Sequence, residues 1–354
     1  MNHADKIPSR TLWQRLSEPR DIASSAPLTR LAVYSVLVGW AVVVLFPLYW
    51  VVITSLKLPV QVSDGPFYLP FVDFQPSLDA WRYILVETGS DTLRPYLNSL
   101  YIACASTVLA VLLGATAAYS LVRVRHRVKL GSIVAFIVIV GGVAASVAVL
   151  KVPLGVALAC GLALFVLFVS TVARRMRHAA GNNDILFWVV SNRILPPVVT
   201  VLPIYVMFQC AGLLDTGAAL IATYVAVNIP IAVWLMRDFF AGVPIDVEES
   251  AEIDGASKLR IFWTIVLPMT KNGLVATTLL VFILCWNEYL LALFLSTANT
   301  QTMPLLVAAQ NATRGPQWWT MSALIILMIA PVVVLTVVLQ KQIARGLMAG
   351  AVKG

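Results

Sequence analysis

The residues best equipped for chemistry in water are gathered in one polar island, Pro244–Pro268, reading PIDVEESAEIDGASKLRIFWTIVLP. Asp246, Glu248, Glu249, Glu252 and Asp254 crowd one end, and Lys258 and Arg260 follow Gly255. An acidic surface of this kind suits an ionic grip by another protein. A second, sparser set of polar groups interrupts otherwise apolar runs: Arg193, Asn228 ahead of Pro230, and Asn287-Glu288 in the sequence WNEY. Nowhere does the chain carry the GxxxxGK[ST] phosphate loop, so it supplies no nucleotide site of that kind. Neither a catalytic constellation nor a metal set is read from the sequence, and no cofactor is expected in this chain.

The elements that must position these groups are set by composition. Of 354 residues, 60% are hydrophobic and only 12% charged, and mean hydropathy is +0.87. Soluble domains average about 45–50% apolar and about 25% charged, so an all-α polytopic membrane protein is expected. The net charge of +8 would suit nucleic acid, but loops on the inner side of a membrane collect Lys and Arg, and no nucleic-acid partner is expected. Cys104, Cys160, Cys210 and Cys285 sit in apolar segments without CxxC spacing and read as small buried apolar residues.

Eight apolar runs have roughly the length to cross a bilayer: Leu31–Ile53, Asn98–Val122, Gly131–Leu150, Leu154–Ala173, Ile185–Phe208, Gly217–Met236, Gly273–Leu295 and Thr320–Leu339. The first is too long for the core of a secretory signal and is read as a retained span. With both termini in the cytoplasm, the inner segments hold nineteen Lys and Arg. The outer segments then hold five, namely Lys57, Arg82, Arg94, Lys151 and Arg314. That bias sets the orientation. The pair Gly131–Ala173 is separated only by Lys151, Val152 and Pro153. Because both of its flanks are basic, it crosses an even number of times, as a full hairpin or a re-entrant one. The organisation expected is a cytoplasmic segment 1–30, a first membrane region 31–130 with an extracytoplasmic loop 58–97, the hairpin 131–173, a core 185–340 containing the polar loop 237–272, and a cytoplasmic tail 341–354.

Within the island, Pro244 fits a helix start, and Asp246 with Glu249 has capping-box spacing. Gly255 is expected to end that helix in a left-handed conformation. Ser257 caps a second short helix running to Leu267, where Pro268 blocks unaltered continuation. The elements Glu249-Ser250-Ala251, Asp254-Gly255-Ala256 and Ile265-Val266-Leu267-Pro268 closely resemble the EAA motif of ABC importer permeases, with Ser250 in place of an alanine. The glycine-rich tail Gly346–Gly354, and Ser191–Pro203 with Gly212–Thr216, are similar to the smaller permease of the maltose-type carbohydrate branch.

This resemblance implies a type I ABC importer permease fold of six core spans, here with two inserted ones. It implies a bacterial inner-membrane complex of this chain, a second permease as heterodimer partner, two ATPase subunits and an extracytoplasmic solute-binding protein. The imported solute would be a carbohydrate or sugar-like molecule, and ATP and Mg would sit on the partner ATPase subunits. By resemblance, Glu249, Ser250, Ala251, Asp254, Gly255 and Pro268 form the coupling loop, and Gly350 and Lys353 reach the ATPase subunits. The polar outer loop with Gln301, Thr302, Gln310 and Asn311 would meet the binding protein.

Polar groups at membrane depth are costly and so carry a role or a partner. Asn228, Asn287 and Glu288 are candidates for the translocation pathway, and Glu288 alternatively pairs structurally. Pro196 and Pro197 would break or kink the fifth run, leaving carbonyls for sugar hydroxyls or for internal partners. A stand-alone secondary transporter is the alternative, against which stand the lack of internal hydropathy symmetry and the few intramembrane charges.

Overall fold

The computed structural model describes residues 26–173, 176, 179–194, 196–311 and 315–351. Much of the basic N-terminal segment, Arg174, Arg175, Arg177, Arg314 and Lys353 lie outside the described residues. The chain divides into two compact units, Met1–Arg82 with Gln317–Ile326, and Tyr83–Pro316 with Leu327–Gly354.

In the first unit, α1 (Pro27–Ser55) has Pro at its first position and exposes apolar side chains from Leu31 to Trp50, as a helix bathed in lipid would. Its end is closed by Lys57, whose Nζ donates to the Phe67 carbonyl at 2.6 Å. The same ammonium lies 4.9 Å from the Trp50 ring and 5.2 Å from that of Phe74. Burial pushes the Lys57 pKa down, and the charge of Asp73 opposes that shift.

The second unit is built on α2 (Gly89–Arg123) and α7 (Gly217–Ala241). Buried residues of α2 recur every three or four positions, at Ser99, Ile102, Ser106, Ala110, Gly114 and Ala118, which is a single helical face. Most are small. In lipid, helices associate through close packing rather than hydrophobic transfer, and small residues bring backbones together. At Gly114 there is no room for a Cβ beside Ala232 of α7. The start of α2 differs from the span expected at Asn98, because hydropathy fades at Asp91 and Arg94 while the helix continues. At about 1.5 Å per residue its 35 residues reach about 52 Å, well beyond a hydrocarbon core of about 30 Å.

The inserted pair forms α3 (Leu130–Ala148) and α4 (Leu154–Thr171). Each is about 27–28 Å long, close to one crossing. They meet through Phe136 and Phe165, with ring centroids 5.7 Å apart, and turn at Lys151 with φ +54°. At their base β1 (Val128–Lys129) pairs antiparallel with β2 (Ala179–Ala180).

The fifth run is interrupted. The helix α5 (Asn182–Ser191) passes through a 3-10 turn, Asn192–Ile194, and α6 (Pro197–Cys210) restarts with Pro196 as its N-cap. After α7 come α8 (Ile245–Ile253) and α9 (Lys258–Ile261). The seventh run is also broken, into α10 (Lys271–Trp286) and α11 (Leu290–Leu295). A short helix α12 (Met303–Ala309) precedes α13 (Trp318–Ala351). Among the described residues, five helices are long and apolar enough to span a membrane, or six if the pair bent by 83° at Thr270 is one span. The remaining runs form shorter or broken helices.

Trp286 anchors the core of this unit, with its indole N–H donating to the Met328 carbonyl at 2.8 Å, Phe282 stacked on it and Tyr96 edge-on. Gly114→Ala is expected to cost about 1–3 kcal/mol through overpacking and to lower the unfolding midpoint of the detergent-solubilised chain. Adding Ala232→Gly should recover most of that loss, and an unchanged midpoint for Gly114→Ala alone would refute the contact.

Candidate functional site

The acidic loop is held by the bundle. Pro244, with φ −59° and ψ 134°, is the N-cap of α8, so the helix begins at Ile245. The capping box expected from Asp246 and Glu249 does not form, because Asp246 already lies inside the first turn. There Asp246 and Glu248 face the positive end of the helix dipole instead. The helix ends as expected: Gly255 has φ +83°, its N–H donates to the Glu252 carbonyl, and the Ala256 N–H donates to that of Ala251. This is a Schellman closure, which needs a residue without a Cβ penalty at that point.

Ser257 caps α9 by accepting from the Arg260 N–H at 3.4 Å. The following segment continues past Pro268 in altered form. The backbone widens into a π-turn, Phe262–Val266, where the Leu267 N–H reaches back to the Phe262 carbonyl. Helical backbone then continues to Met269 and bends by 83° into α10. A proline donates no N–H and crowds the carbonyl four residues back, and the π-turn lies directly ahead of it.

The two faces of α8 differ. Glu249, Ser250, Glu252, Ile253 and Asp254 are exposed, Ile253 by 86%. Glu248 is buried and Ala251 packs against the apolar cluster of Met236, Phe240, Ile261 and Phe262. Ser250 bonds the Asp246 carbonyl of its own helix at 2.8 Å, so the departure from alanine leaves the packing face untouched. The exposed face is acidic, with Lys258 reaching Glu252 at 3.4 Å as a surface pair.

Sequence reasoning treated Glu248 as one acid among several, and the structure singles it out. Its Oε1 accepts from Arg123 Nε at 2.7 Å and its Oε2 from the Tyr119 hydroxyl at 2.8 Å. Arg123 also donates through Nη2 to the carbonyls of Val243, at 2.7 Å, and Phe240, at 3.3 Å. The only signal in the sequence was spacing: Glu248 lies three residues before Ala251 and so shares its face.

The intramembrane polar groups meet at the two helix breaks. Arg193, in the 3-10 turn, donates to Asn228 Oδ1 at 3.1 Å. Asn228 is buried and donates in turn to the Tyr224 carbonyl and to Cys285 Sγ. Both ends of this amide are therefore engaged. Glu288 Oε1 accepts from the Leu291 N–H at 3.0 Å, capping α11, and the Glu288 carbonyl accepts from the Tyr224 hydroxyl at 3.4 Å. Asn287 is exposed and donates to the Ile283 carbonyl. The structure thus links Asn228 and Glu288 through Tyr224.

At the opposite end of the unit, Asp215, with φ +57°, gathers the polar loop expected on the outer side. Its carboxylate accepts from the N–H groups of Thr297, Asn299 and Thr300 and from the Thr300 hydroxyl. Burial pushes the Asp215 pKa up, but the donors from Thr297, Asn299 and Thr300 outweigh it and hold the carboxyl well below the usual range. The same loop is tied to α2 by Arg94, Asn98 and Ser99, the last accepting from the Met303 N–H at 2.7 Å. Asn311 is exposed, Gln301 and Gln310 are half-buried, and Thr302 is buried at the N-cap of α12, which removes its side chain from the loop surface. In the tail, Gly350 lies within α13 and Lys353 is outside the described residues. Among the described residues, no group of three His, Cys, Asp or Glu side chains is placed to hold a metal ion.

A bundle of apolar helices that holds out a rigid, acidic helix at one end, and fastens a polar loop at the other, defines a polytopic membrane subunit that works through partners. Residues 167–348 match the family described as binding-protein-dependent transport system inner membrane component. The chain is 30% identical over 313 residues to the probable ABC transporter permease protein y4oR of Sinorhizobium fredii (strain NBRC 101917 / NGR234), covering 88% of this chain and 92% of that one. It is 29% identical over 324 residues to the trehalose transport system permease protein SugB of Mycobacterium tuberculosis (strain CDC 1551 / Oshkosh), covering 90% and 95%. A chain from the crystal structure of a bacterial ABC transporter involved in the import of the acidic polysaccharide alginate shares the fold, with TM-score 0.57 and 22% identity over 88% of this chain and 95% of that one. The chain belongs to the binding-protein-dependent transport family and is an inner-membrane permease subunit of an ABC importer.

The Asp215 carboxylate gives a pH prediction. A depressed carboxyl stabilises the fold above its unfolded value of about 3.9 and loses that contribution as pH falls through the folded value. Asp215→Asn should therefore cost about 1 kcal/mol at neutral pH, after allowance for solvent screening. In thermal unfolding of the solubilised chain, the gap from the unsubstituted protein should begin to narrow below about pH 4 and close only as pH reaches the depressed folded value.

Proposed function

We propose that this chain is one of two permease subunits in a carbohydrate importer. It works with a second permease, two ATPase subunits and an extracytoplasmic solute-binding protein. The observation that carries the reading is α8, an acidic helix with one buried face and one free face, closed by Gly255 and offered at the end of the bundle. Its free face, centred on Glu249, docks into the ATPase subunit, and nucleotide-driven closure there moves the spans. ATP and Mg reside on the ATPase subunits.

This loop and both termini lie in the cytoplasm, a reading supported by the excess of Lys and Arg on that side. The tail through Gly350 and Lys353 runs toward the ATPase subunits. On the outer side, Gln301, Gln310 and Asn311 meet the binding protein. Asn287 and Glu288 border the solute pathway where the helix opens, and Asn228 supports that border through its bond from Arg193. The substrate class rests on relatives named for trehalose, for trehalose and maltose, and for diacetylchitobiose.

The test is reconstitution with the ATPase and binding-protein partners, and uptake of radiolabelled trehalose, maltose and diacetylchitobiose. Glu249→Ala combined with Gly255→Val removes a central contact and forces a side chain into a left-handed position. A central interface residue contributes about 2 kcal/mol or more, so affinity for the ATPase subunit should fall roughly thirtyfold, and uptake with it. Normal ATP-dependent uptake by that variant, at normal expression, would defeat the docking reading. Isolation of the chain as a lone oligomer that transports without ATP would favour a stand-alone transporter.

A further inference from the structure

The hold of the bundle on α8 is concentrated at one side chain. Glu248 is the one buried residue of the helix, with its side chain 6% exposed against 13% for Arg123. The neighbouring chain is compliant: Gly242 and Val243 precede the helix as a turn, and the left-handed Gly255 follows it. Without a lateral fixing point, a push on α8 would be absorbed by these turns.

Arg123 provides that point. It is the last residue of α2, and its guanidinium bonds Glu248 on α8 together with the Phe240 and Val243 carbonyls at the end of α7. Tyr119, one turn earlier on α2, takes the second carboxylate oxygen. The Tyr119 ring packs on Phe240 and Phe262, with centroids at 5.9 and 5.0 Å. The carboxylate is thus fixed from two positions on one helix, and the guanidinium from three points, on α8, on α7 and in the turn between them. A planar fork with several donors suits this junction, and a lysine would not reproduce it.

From there α2 runs unbroken to the far side. At that end Arg94, Asn98 and Ser99 hold the loop of Asn299, Gln301 and Met303. One continuous helix, with Pro95 in its first turns, therefore has the docking helix fastened to its cytoplasmic end and the outer loop fastened to its other end.

We propose that Arg123, Glu248 and Tyr119 form a clamp through which α8 drives α2 as a lever, so that nucleotide events at the ATPase subunit reach the outer loop. Arg123 and Glu248 are positioning residues for energy coupling. This rests on the reading of α8 as the docking helix.

The experiment compares the assembled complex with and without Glu248→Gln, a substitution that keeps the shape and removes the charge. Amide hydrogen exchange is followed in the outer loop 297–303 with and without a non-hydrolysable ATP analogue. In the unsubstituted complex the analogue changes exchange there. In Glu248→Gln, assembly and analogue binding persist while that change shrinks roughly fivefold or more. Arg123→Gln gives the same loss, and the double variant adds nothing further, because both break one link. A full nucleotide response in Glu248→Gln overturns the clamp, as does a lower yield of complexes that each respond fully. No response in the unsubstituted complex instead overturns the docking reading beneath it. The clamp is also read without partners. In the solubilised chain, Glu248→Gln should speed exchange in Ile245–Ile253 by roughly tenfold while Gly217–Ala241 stays protected. Unchanged exchange in α8 overturns the clamp whatever the partner does.

Discussion

Hydrocarbon offers no water to a backbone whose hydrogen bonds are open, and each open group there costs several kcal/mol. A transporter nevertheless needs helices that bend or stop. Among the described residues, several interruptions lie beside a side chain or a shifted register that answers freed groups. At the break in the fifth run, Arg193 meets a side chain rather than open backbone, donating to Asn228, whose amide donates to the Tyr224 carbonyl. The stop after Trp286 is capped by Glu288 and steadied by the Tyr224 hydroxyl. The Phe240 carbonyl in the last turn of α7 and the Val243 carbonyl in the turn beyond it are taken by Arg123, and a π-turn stands just before Pro268, which lacks a donor. The polar groups in the membrane are thus first a condition for irregular backbone, and whatever they offer a solute is added to that.

This constraint explains how much could be read in advance. Apolar runs, the proline break at Pro196–Pro197 and the glycine closure at Gly255 are local matters of length and backbone preference, and they appear where their residues stand. The break at Asn287–Tyr289 has no proline or glycine to announce it; it depends on Tyr224, 64 residues away. The start of α2 is likewise hidden, since Asp91 and Arg94 look like loop residues, and the bond from Arg94 to Asn299 appears only once the distant loop is folded. Glu248 and Glu249 are indistinguishable by composition. Which of them turns inward is decided by Arg123, separated from Glu248 by 125 positions. The family motif was legible because its spacing encodes one surface, whereas the support behind that surface comes from distant segments.

The division of labour in the second unit follows from side-chain size. Where α2 meets α7, small residues at Gly114 and Ala232 fix two backbones against each other. At the end of the unit that carries α8, large rings at Tyr119, Phe240 and Phe262 surround the one buried ion pair among the described residues. Pairs of this kind add little net stability when formed, but removing one partner leaves a buried charge exposed to the full desolvation penalty. Such an arrangement specifies one orientation of α8 more than it strengthens the fold.

The inserted hairpin leaves the core and returns to it at almost one point. Val128 lies opposite Ala180 and Lys129 opposite Ala179, and paired strands are about 4.8 Å apart. Just beyond, Asn182 accepts from the His126 N–H and donates to the Leu121 and Val124 carbonyls, at the end of α2. Excising the two helices would therefore need only a short join in the chain, but it would uncover the face of α6 at Leu202, Val206 and Met207 that shares a cavity with the hairpin. The cost of losing the hairpin thus falls on the lipid-facing surface of one helix and hardly on the path of the backbone.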